Sequence, residues 1–373
     1  MKFPVAKTMI LIGCVIIALI IGIAFFINTH KKNKYTFGII TNLEGKNPIS
    51  AIDSYKAVKL AWKNFSQKYP DSFSLKFLAL DNSHDPEKTK LAYEKIRDKC
   101  DFIMIATYST AFMAIYDKVV QNSGMLHLLI GATATAFSKK DDNVIRGNLD
   151  MELEQKSIAD FFNKKKVKKL LVIRENEKNI KYTQPALKYF SKYFKGDIIQ
   201  SCFSAINLDL SKTLRNFKEN NMLEYAYILS GATVREAGII IQNMKRLNPQ
   251  IVIVNTPWNS GPFLKETLGR YTDKVIVSSN ISINSKAYRD FSSEFNKKFH
   301  HEPTYPAAPA YDMAYILFEA MLECGTDDAY ALKKQILKKT YAGVSGRIKF
   351  DPYGDLAGRL YFYDLKGKEQ VVY

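Results

Sequence analysis

The sequence predicts an α/β protein of two doubly wound parallel-sheet lobes, joined by three hinge crossings and preceded by one N-terminal transmembrane helix. Three observations point there. Two apolar runs in close succession, Asp101 to Thr110 and Met125 to Ala136, each end in small hydroxyl residues. A run of this kind, bounded by a polar tip and followed by a helical pattern, reads as a strand buried on both faces of a parallel sheet. Strand and helix then alternate along the chain, as parallel sheets covered by helices require. Finally, the rhythm breaks between Val144 and Asp150 and restarts, so a second sheet follows the first.

The elements follow in order. Tyr35 to Ile40 reads as a strand and Thr41 to Pro48 as a polar loop. Ser50 opens a helix with Asp53 three positions on, an acidic capping box, and Ile52, Tyr55, Val58, Trp62, Phe65 and Tyr69 recur at helical spacing as a core stripe. Phe73 to Leu80 is the next strand. Asp85-Pro86-Glu87 begins another helix with a cap, a first-turn proline and an acid near the positive end of the dipole. Asp101 to Ala106, a helix from Ala111 to Asn122 and a strand at Leu126 complete the first half. The second half runs helix Glu152 to Asn163, strand Val167 to Arg174, helix Pro185 to Phe194, a strand near Ile198 and helix Leu210 to Asn220. Strand Tyr225 to Leu229, helix Val234 to Leu247 and strand Ile251 to Val254 follow. Lys274 to Ile283 leads into helices Lys286 to Phe299 and Tyr305 to Cys324, the latter apolar nearly all round and so buried. Near Gly343 the pattern turns into short extended pieces.

Open α/β sheets hold ligands at the C-terminal ends of their strands. Thr107, Ser109, Thr110, Thr133 and Thr135 sit at two such ends, where short hydroxyl side chains let a ligand reach helix-start N–H groups. Each alone also suits a helix cap; two neighbouring tips mark a cleft.

Size, charge and chemistry narrow the classes. With 373 residues the chain has room for two domains, and 54 Lys plus Arg against 37 Asp plus Glu give +17. The lysines are spread over the whole chain, and the densest cluster, Lys164 to Lys169, has no aromatic interleaving, so no nucleic-acid partner is expected. Cys14, Cys100, Cys202 and Cys324 lie far apart, and no metal site is expected. No GxGxxG, GxxxxGK[ST] or GxSxG occurs, and His30, His84, His127, His300 and His301 fall at no triad or metal spacing, so neither an enzyme nor a cofactor is expected. His127, inside a strand, reads as a satisfied core histidine. Asp351 to Asp355 reads as a turn, because it lacks the remaining ligands of a calcium loop.

At the N-terminus, Thr8 to Ile27 carries no charge, and about 20 such residues span a bilayer as a helix. The run ends in Phe25-Phe26-Ile27 rather than a small-residue exit, which favours an uncleaved anchor. Leu11 to Cys14 resembles a lipobox, but the apolar stretch before it is short and the run continues past it. Lys2 and Lys7 precede the segment and Lys31, Lys32 and Lys34 follow it, so charge does not fix its orientation.

The order of Asp81-Asn82 and Asp85-Pro86, Ala106 to Thr110, Gly131 to Ala134, Arg146, Tyr311 to Tyr315 and Gly343 to Asp355 resembles the type I periplasmic binding proteins. Within them it is most similar to the leucine/isoleucine/valine-binding branch that serves branched-chain amino-acid ABC transporters. The resemblance covers Tyr35 to the C-terminus. With the anchor and basic linker at 1–34 read from the apolar run, it implies a first lobe of 35–147 plus 281–342 and a second of 148–280 plus 343–373; a plain anchor departs from the family pattern, whose members are mostly released or lipidated. It further implies that Tyr108, Ser109, Thr110, Ala132 and Thr133 hold a small-molecule ligand, faced by Tyr182 as the aromatic, Gly231 and Thr233, with Trp258 as a cover or as packed core. The family's acid for a ligand ammonium has no counterpart near Asn255 to Asn259; Glu236 and Glu44 are the substitutes in view. An unpaired buried ammonium is costly, which sets a standard α-amino acid in doubt. The resemblance implies export, which orients the anchor: a membrane-anchored, extracytoplasmic solute-binding protein that captures a small polar ligand, an amino acid, amide or related carboxylate, in an interlobe cleft, with an ABC permease or a membrane sensor as partner. A ligand-sensing or envelope-regulatory module with a degenerate cleft is the alternative.

Overall fold

The structure is a computed structural model and describes residues 32–369 apart from 46–47, 123, 178, 205–207, 220–222, 232–233 and 260. The expected membrane segment Thr8 to Ile27, with Cys14, lies outside the described residues; among those described, no helix is long and apolar enough to cross a membrane.

The first sheet contains β1 (Lys34–Thr41), β2 (Ser74–Asp81), β3 (Phe102–Ala106), β4 (Leu126–Ile130) and β5 (Val144–Arg146), all parallel, in the order β2-β1-β3-β4-β5. β3 and β4 are buried at every position, as their unbroken apolar runs require. Helices Ile49–Lys68 and Ala307–Cys324 cover one face, where Trp62 meets Phe318 edge-on at 5.5 Å. Helix Pro86–Ile96 covers the other, placing Tyr93 beside the core histidine His127: its hydroxyl lies 3.1 Å from Nε2 while Asn143 donates to Nδ1. Burial lowers the His127 pKa to about 3, so this residue is a neutral core group.

The strands β6 (Lys169–Glu175), β7 (Asp197–Phe203), β8 (Tyr225–Leu229), β9 (Val252–Asn255) and β10 (Val275–Ser279) run parallel in a second sheet. A small antiparallel sheet of β11 (Tyr341–Gly343), β12 (Gly346–Phe350) and β13 (Leu356–Ala357) follows the helices. β14 (Tyr361–Asp364) then joins the second sheet beside β10, giving β14-β10-β9-β8-β6-β7. The chain thus passes between the two large sheets three times: after β5, after β10 and before β14. In each, the strand order reverses once, between β1 and β3 and between β6 and β8, and the crevice outside such a reversal is where doubly wound sheets place ligands.

The small sheet is tied to the first-sheet side. Asp312 accepts hydrogen bonds from the N–H groups of Val344 at 2.7 Å and Ser345 at 2.8 Å, and from the Ser345 hydroxyl. Gly343 permits this approach, since a Cβ there would stand 2.5 Å from Asp312 Oδ1. Asp355 pairs with Arg146. Position 343, where the last piece of the second lobe was expected to begin, falls inside this small sheet; only from β14 does the chain join the second sheet.

Two local expectations are corrected. The helix at Ile49 has Pro48 at its N-cap and no side-chain cap. Asp53 instead turns inward, fully buried, and accepts from Thr304 N–H at 3.2 Å and Thr304 Oγ1 at 2.9 Å. The helix expected from Pro185 spans Ile180–Tyr193, with the proline inside it. By contrast, Asp85 does cap its helix, accepting from Lys88 N–H at 2.9 Å. Asp351 closes a turn by accepting from the N–H groups of Tyr353, Gly354 and Asp355.

Candidate functional site

The site is built first from the strand ends of the first sheet. Asp81, the last residue of β2, accepts from the N–H groups of Leu43 at 2.8 Å and Glu44 at 3.0 Å and from the Ser83 hydroxyl at 2.7 Å, tying the loop after β1 to the loop after β2. Burial pushes its carboxyl up, but Ser83 and these N–H donors outweigh it and leave the pKa lowered. Asn82, fully buried, donates to Thr89 Oγ1 and Thr107 Oγ1. Ser83 and His84 then both adopt the left-handed backbone region, with φ of 46° and 55°. That turn lays the His84 ring against Tyr108, with centroids 4.0 Å apart at 25°. Burial lowers the His84 pKa to about 4, so the ring is neutral and acts as a flat face.

The ends of β3 and β4 are joined directly. Tyr108 is the N-cap residue of the short helix Ser109–Met113, with a ring 39% exposed. Ser109 Oγ accepts from Ala134 N–H at 3.1 Å. Ala132 and Thr133 are buried, Thr110 half-buried, and Thr133 carbonyl accepts from Met151 N–H at 2.8 Å, which fixes the start of the first crossing helix, Met151–Lys164. Thr107 is turned inward and bonded to Asn82. Below these tips lies Arg146, 2% exposed: its guanidinium donates to Ser138 Oγ at 2.7 Å, to Asp355 Oδ1 at 3.0 Å and to the carbonyls of Ala132 and Ala134 at 3.4 Å.

Gly131 makes the bend between β4 and this tip, at φ 93°, where a Cβ would lie 2.8 Å from Thr107 carbonyl oxygen. Gly131→Ala is therefore expected to lose about 2 kcal/mol of stability, the strain of a non-glycine residue in that region. A thermal unfolding midpoint equal to that of the unaltered chain would refute this.

Facing these tips are groups of the second sheet. Glu175 ends β6 and is fully buried; it accepts from Asn179 Nδ2 at 2.8 Å and from Gly231 N–H at 3.4 Å. Gly231, just past β8, also accepts from Asn179 at its carbonyl. Burial and then the Glu175 charge raise the Tyr108 phenol, so these two residues oppose one another across the gap. Thr135 Oγ1 and Tyr189 OH bridge the two sides at 3.0 Å.

Beneath lies a polar floor at the crossings. Tyr182 donates to Glu154 Oε1 at 2.5 Å, and Gln155 Nε2 donates to the same oxygen at 2.9 Å. Burial of the Glu154 carboxyl outweighs these bonds and raises its pKa to about 7. Trp258 packs edge-on against Tyr305 at 5.2 Å, and Tyr305 donates to Asn280 at 2.5 Å. Trp258 and Asn148 are packed beside these groups, the indole toward Glu154 and the Asn148 amide toward Tyr305.

Of the residues singled out in the sequence, Tyr108, Ser109, Thr110, Ala132 and Thr133 are thus brought together on the first side. Gly231 faces them beside Glu175, while Tyr182 and Trp258 lie in the floor; Thr233 lies outside the described residues. The buried acids are Glu154 and Glu175, whereas Glu44 is exposed and Glu236 half-buried on helix Val234–Leu247. Glu175 had a signal in the sequence, an acid closing an apolar strand; His84 and Glu154 had none that set them apart from surface residues. Among the described residues no group of three or more His, Cys, Asp and Glu could hold a metal ion, and Cys100, Cys202 and Cys324 are free thiols.

A family model described as periplasmic binding protein matches residues 34–370. No curated protein matches the chain. Among solved structures, the chain is similar to LivJ of Streptococcus pneumoniae, a branched-chain amino acid transporter substrate binding protein in complex with isoleucine, at 19% identity and a TM-score of 0.77, over 91% of this chain and 98% of that one. It is similar to the leucine binding protein LivK of Thermotoga maritima at 18% and 0.75, over 90% and 97%. A third similar structure is a solute binding protein of an ABC transporter from Rhodopseudomonas palustris in complex with 3,4-dihydroxy benzoic acid, at 18% and 0.74, over 90% and 95%. At these identities the likeness is one of fold.

Proposed function

The chain belongs to the periplasmic binding protein family, and from that premise we propose that it is a membrane-tethered, extracytoplasmic solute-binding protein that captures a small carboxylate-bearing ligand between two lobes for an ABC transporter. The carrying observation is the joined pair of tips, where the Ser109 hydroxyl holds Ala134 and the N–H groups of Ser109 and Thr110 open a helix with no intrahelical partner of their own. A carboxylate meets there hydroxyls and N–H donors of the first-side tips. Tyr108, Ser109, Thr110, Ala132 and Thr133 would hold the carboxylate end, and Tyr182, Gly231, Thr233 and Trp258 the rest of the ligand from the other lobe. The lobes in this reading are 35–147 plus 281–342 and 148–280 plus the last segment, which joins the second sheet from β14 on, with the anchor at Thr8 to Ile27.

Two features favour a ligand with a flat or apolar body over one with an ammonium. The stacked rings of His84 and Tyr108 offer an uncharged face. Glu175 and Glu154 are already engaged, the first by Asn179 and Gly231, the second by Tyr182 and Gln155. The proteins of similar fold captured with isoleucine and with 3,4-dihydroxy benzoic acid both bind carboxylates.

Calorimetric titration of the purified chain with benzoate, 4-hydroxybenzoate, leucine and isoleucine tests this. Saturable binding of at least one is expected, weakened roughly tenfold or more in Thr133→Val, the loss of one hydrogen bond to a charged group. Absence of binding across the panel would overturn the reading. A sensing or envelope-regulatory module of the same fold is the second reading, supported by the pairing of the two sides through Thr135 and Tyr189.

A further inference from the structure

A cavity of about 340 Å³ lies at the hinge, and none of the residues assigned to the ligand cleft lines it. Its walls come from all three crossings: Leu149 from the first, Asn280 from the second and Leu356 to Arg359 with Tyr361 from the third, closed by Met313 of helix Ala307–Cys324 and Ile348 of β12. That volume is in the range of small-molecule sites.

Among the described residues its unpaired charge is one-sided. Arg347, Lys349 and Arg359 line the cavity, all exposed, and none has a hydrogen-bond or ion-pair partner among the described residues. β12 pairs with β13 so that Lys349 stands opposite Ala357. Alternation along the strand puts Arg347 and Lys349 on one face, with Ile348 and Phe350 buried on the other. Arg359 follows β13 by two residues and lines the same cavity as Arg347 and Lys349. Like charges lining one cavity repel, and among the described residues no acid forms an ion pair with them. Asp355 is engaged by Arg146, and Asp351 by its own turn. Asp312, inside the cavity, is saturated by Val344 and Ser345. Glu369 lines the adjoining cavity with Arg359 and pairs with neither Arg359 nor Lys156, which is bonded to Asp160.

We propose that this hinge cavity is a second binding site, for a small organic polyanion of the polycarboxylate or phosphate-ester class, gripped by Arg347, Lys349 and Arg359. Guanidinium forks suit clustered anionic oxygens, and Leu149 and Met313 suit a short carbon body. Because the walls belong to all three crossings, an occupant is linked to the angle between the lobes, and Asn280 connects the cavity to the cleft floor through Tyr305.

The test is calorimetric titration of the full-length chain in detergent with citrate and, separately, pyrophosphate, at fixed ionic strength made up with chloride. Saturable binding of one equivalent is expected, weakened roughly tenfold or more in Arg347→Gln/Arg359→Gln, as loss of two charge-assisted contacts implies. Lys297→Gln/Lys298→Gln, an exposed pair on helix Lys286–Phe299, removes the same charge and is expected to leave binding unchanged; so is the cleft variant Thr133→Val. Absence of saturable binding by both probes overturns the proposal. Equal loss in the two charge pairs overturns it in favour of general electrostatics, and loss in Thr133→Val overturns it by placing the anion in the cleft. Lys349→Gln is the second hinge variant, should the double substitution fail to fold.

Discussion

Arg146→Ala is expected to be the most damaging single substitution outside the apolar core. The guanidinium is buried, holds Asp355 across 209 residues of sequence and ties the carbonyls of Ala132 and Ala134 to Ser138. Removing it leaves the Asp355 carboxylate, which burial already raises in pKa and Arg146 lowers, without its partner in a site 9% exposed. Breaking a buried pair in this way costs about 3–5 kcal/mol, far more than an exposed pair contributes. For lobes of this size the unfolding midpoint should fall by on the order of 10 °C. Arg146→Met/Asp355→Leu, which removes both charges and keeps the volume, should recover part of that loss. Ligand binding should weaken in Arg146→Ala even below its melting point, because the same guanidinium fixes the backbone of the β4 tip. A midpoint within 2 °C of the unaltered chain, on the order of a single exposed contact, would show that the pair carries no structural load.

The second large effect is a change in how stability depends on pH. Glu154 has an ordinary value of 4.5, raised to about 7 in the folded protein by burial. Between those two values the folded form holds a proton that the unfolded form has released, so stability falls as pH rises through this window. The full loss is about 3 kcal/mol, from one pKa unit being 1.36 kcal/mol. Asp312, raised by burial from 3.8 to about 6, adds a loss of the same sign in a lower window. Glu154→Gln keeps the volume and an acceptor for Tyr182 while removing the ionisation. Its denaturant midpoint should therefore change less than that of the unaltered chain between pH 5 and pH 8, with the variant gaining in relative stability toward the alkaline end. An identical pH slope in the two proteins would contradict the burial of an ionising group at the floor.

Several features were legible because they rest on local chemistry. The unbroken apolar runs of β3 and β4 and the hydroxyls at their ends were visible from composition alone, as was the Asp85 cap before a first-turn proline. His127 read as core from the strand around it. What failed was equally specific. Asp53 matched a capping pattern, yet a proline precedes the helix and Thr304 stands 251 residues away, ready to donate to the carboxylate. The helix start at Ile180 was missed because Pro185 was read as a first-turn residue, whereas the preceding turn is held at the end of β6 by Asn179 and Thr183 bonding to Glu175.

The candidate site divides the same way. Serines and threonines at strand ends are a short-range pattern, so Ser109, Thr110 and Thr133 could be named in advance. The acids could not. Glu154 looks like any first-turn helical glutamate, and its meaning arises only when Tyr182 and Gln155 close over it. Nor does sequence place His84 under Tyr108, since that needs two left-handed residues in succession. The sequence by itself determined the strand and helix periods, the fold class and the hydroxyl tips, because side-chain periodicity and caps are set by neighbours a few residues apart. Tertiary structure alone decided which charges are buried, which partners hold Arg146, Asp312 and Glu154, and where three lobe crossings enclose a cavity, because desolvation and hydrogen bonding depend on what the fold brings within a few ångströms.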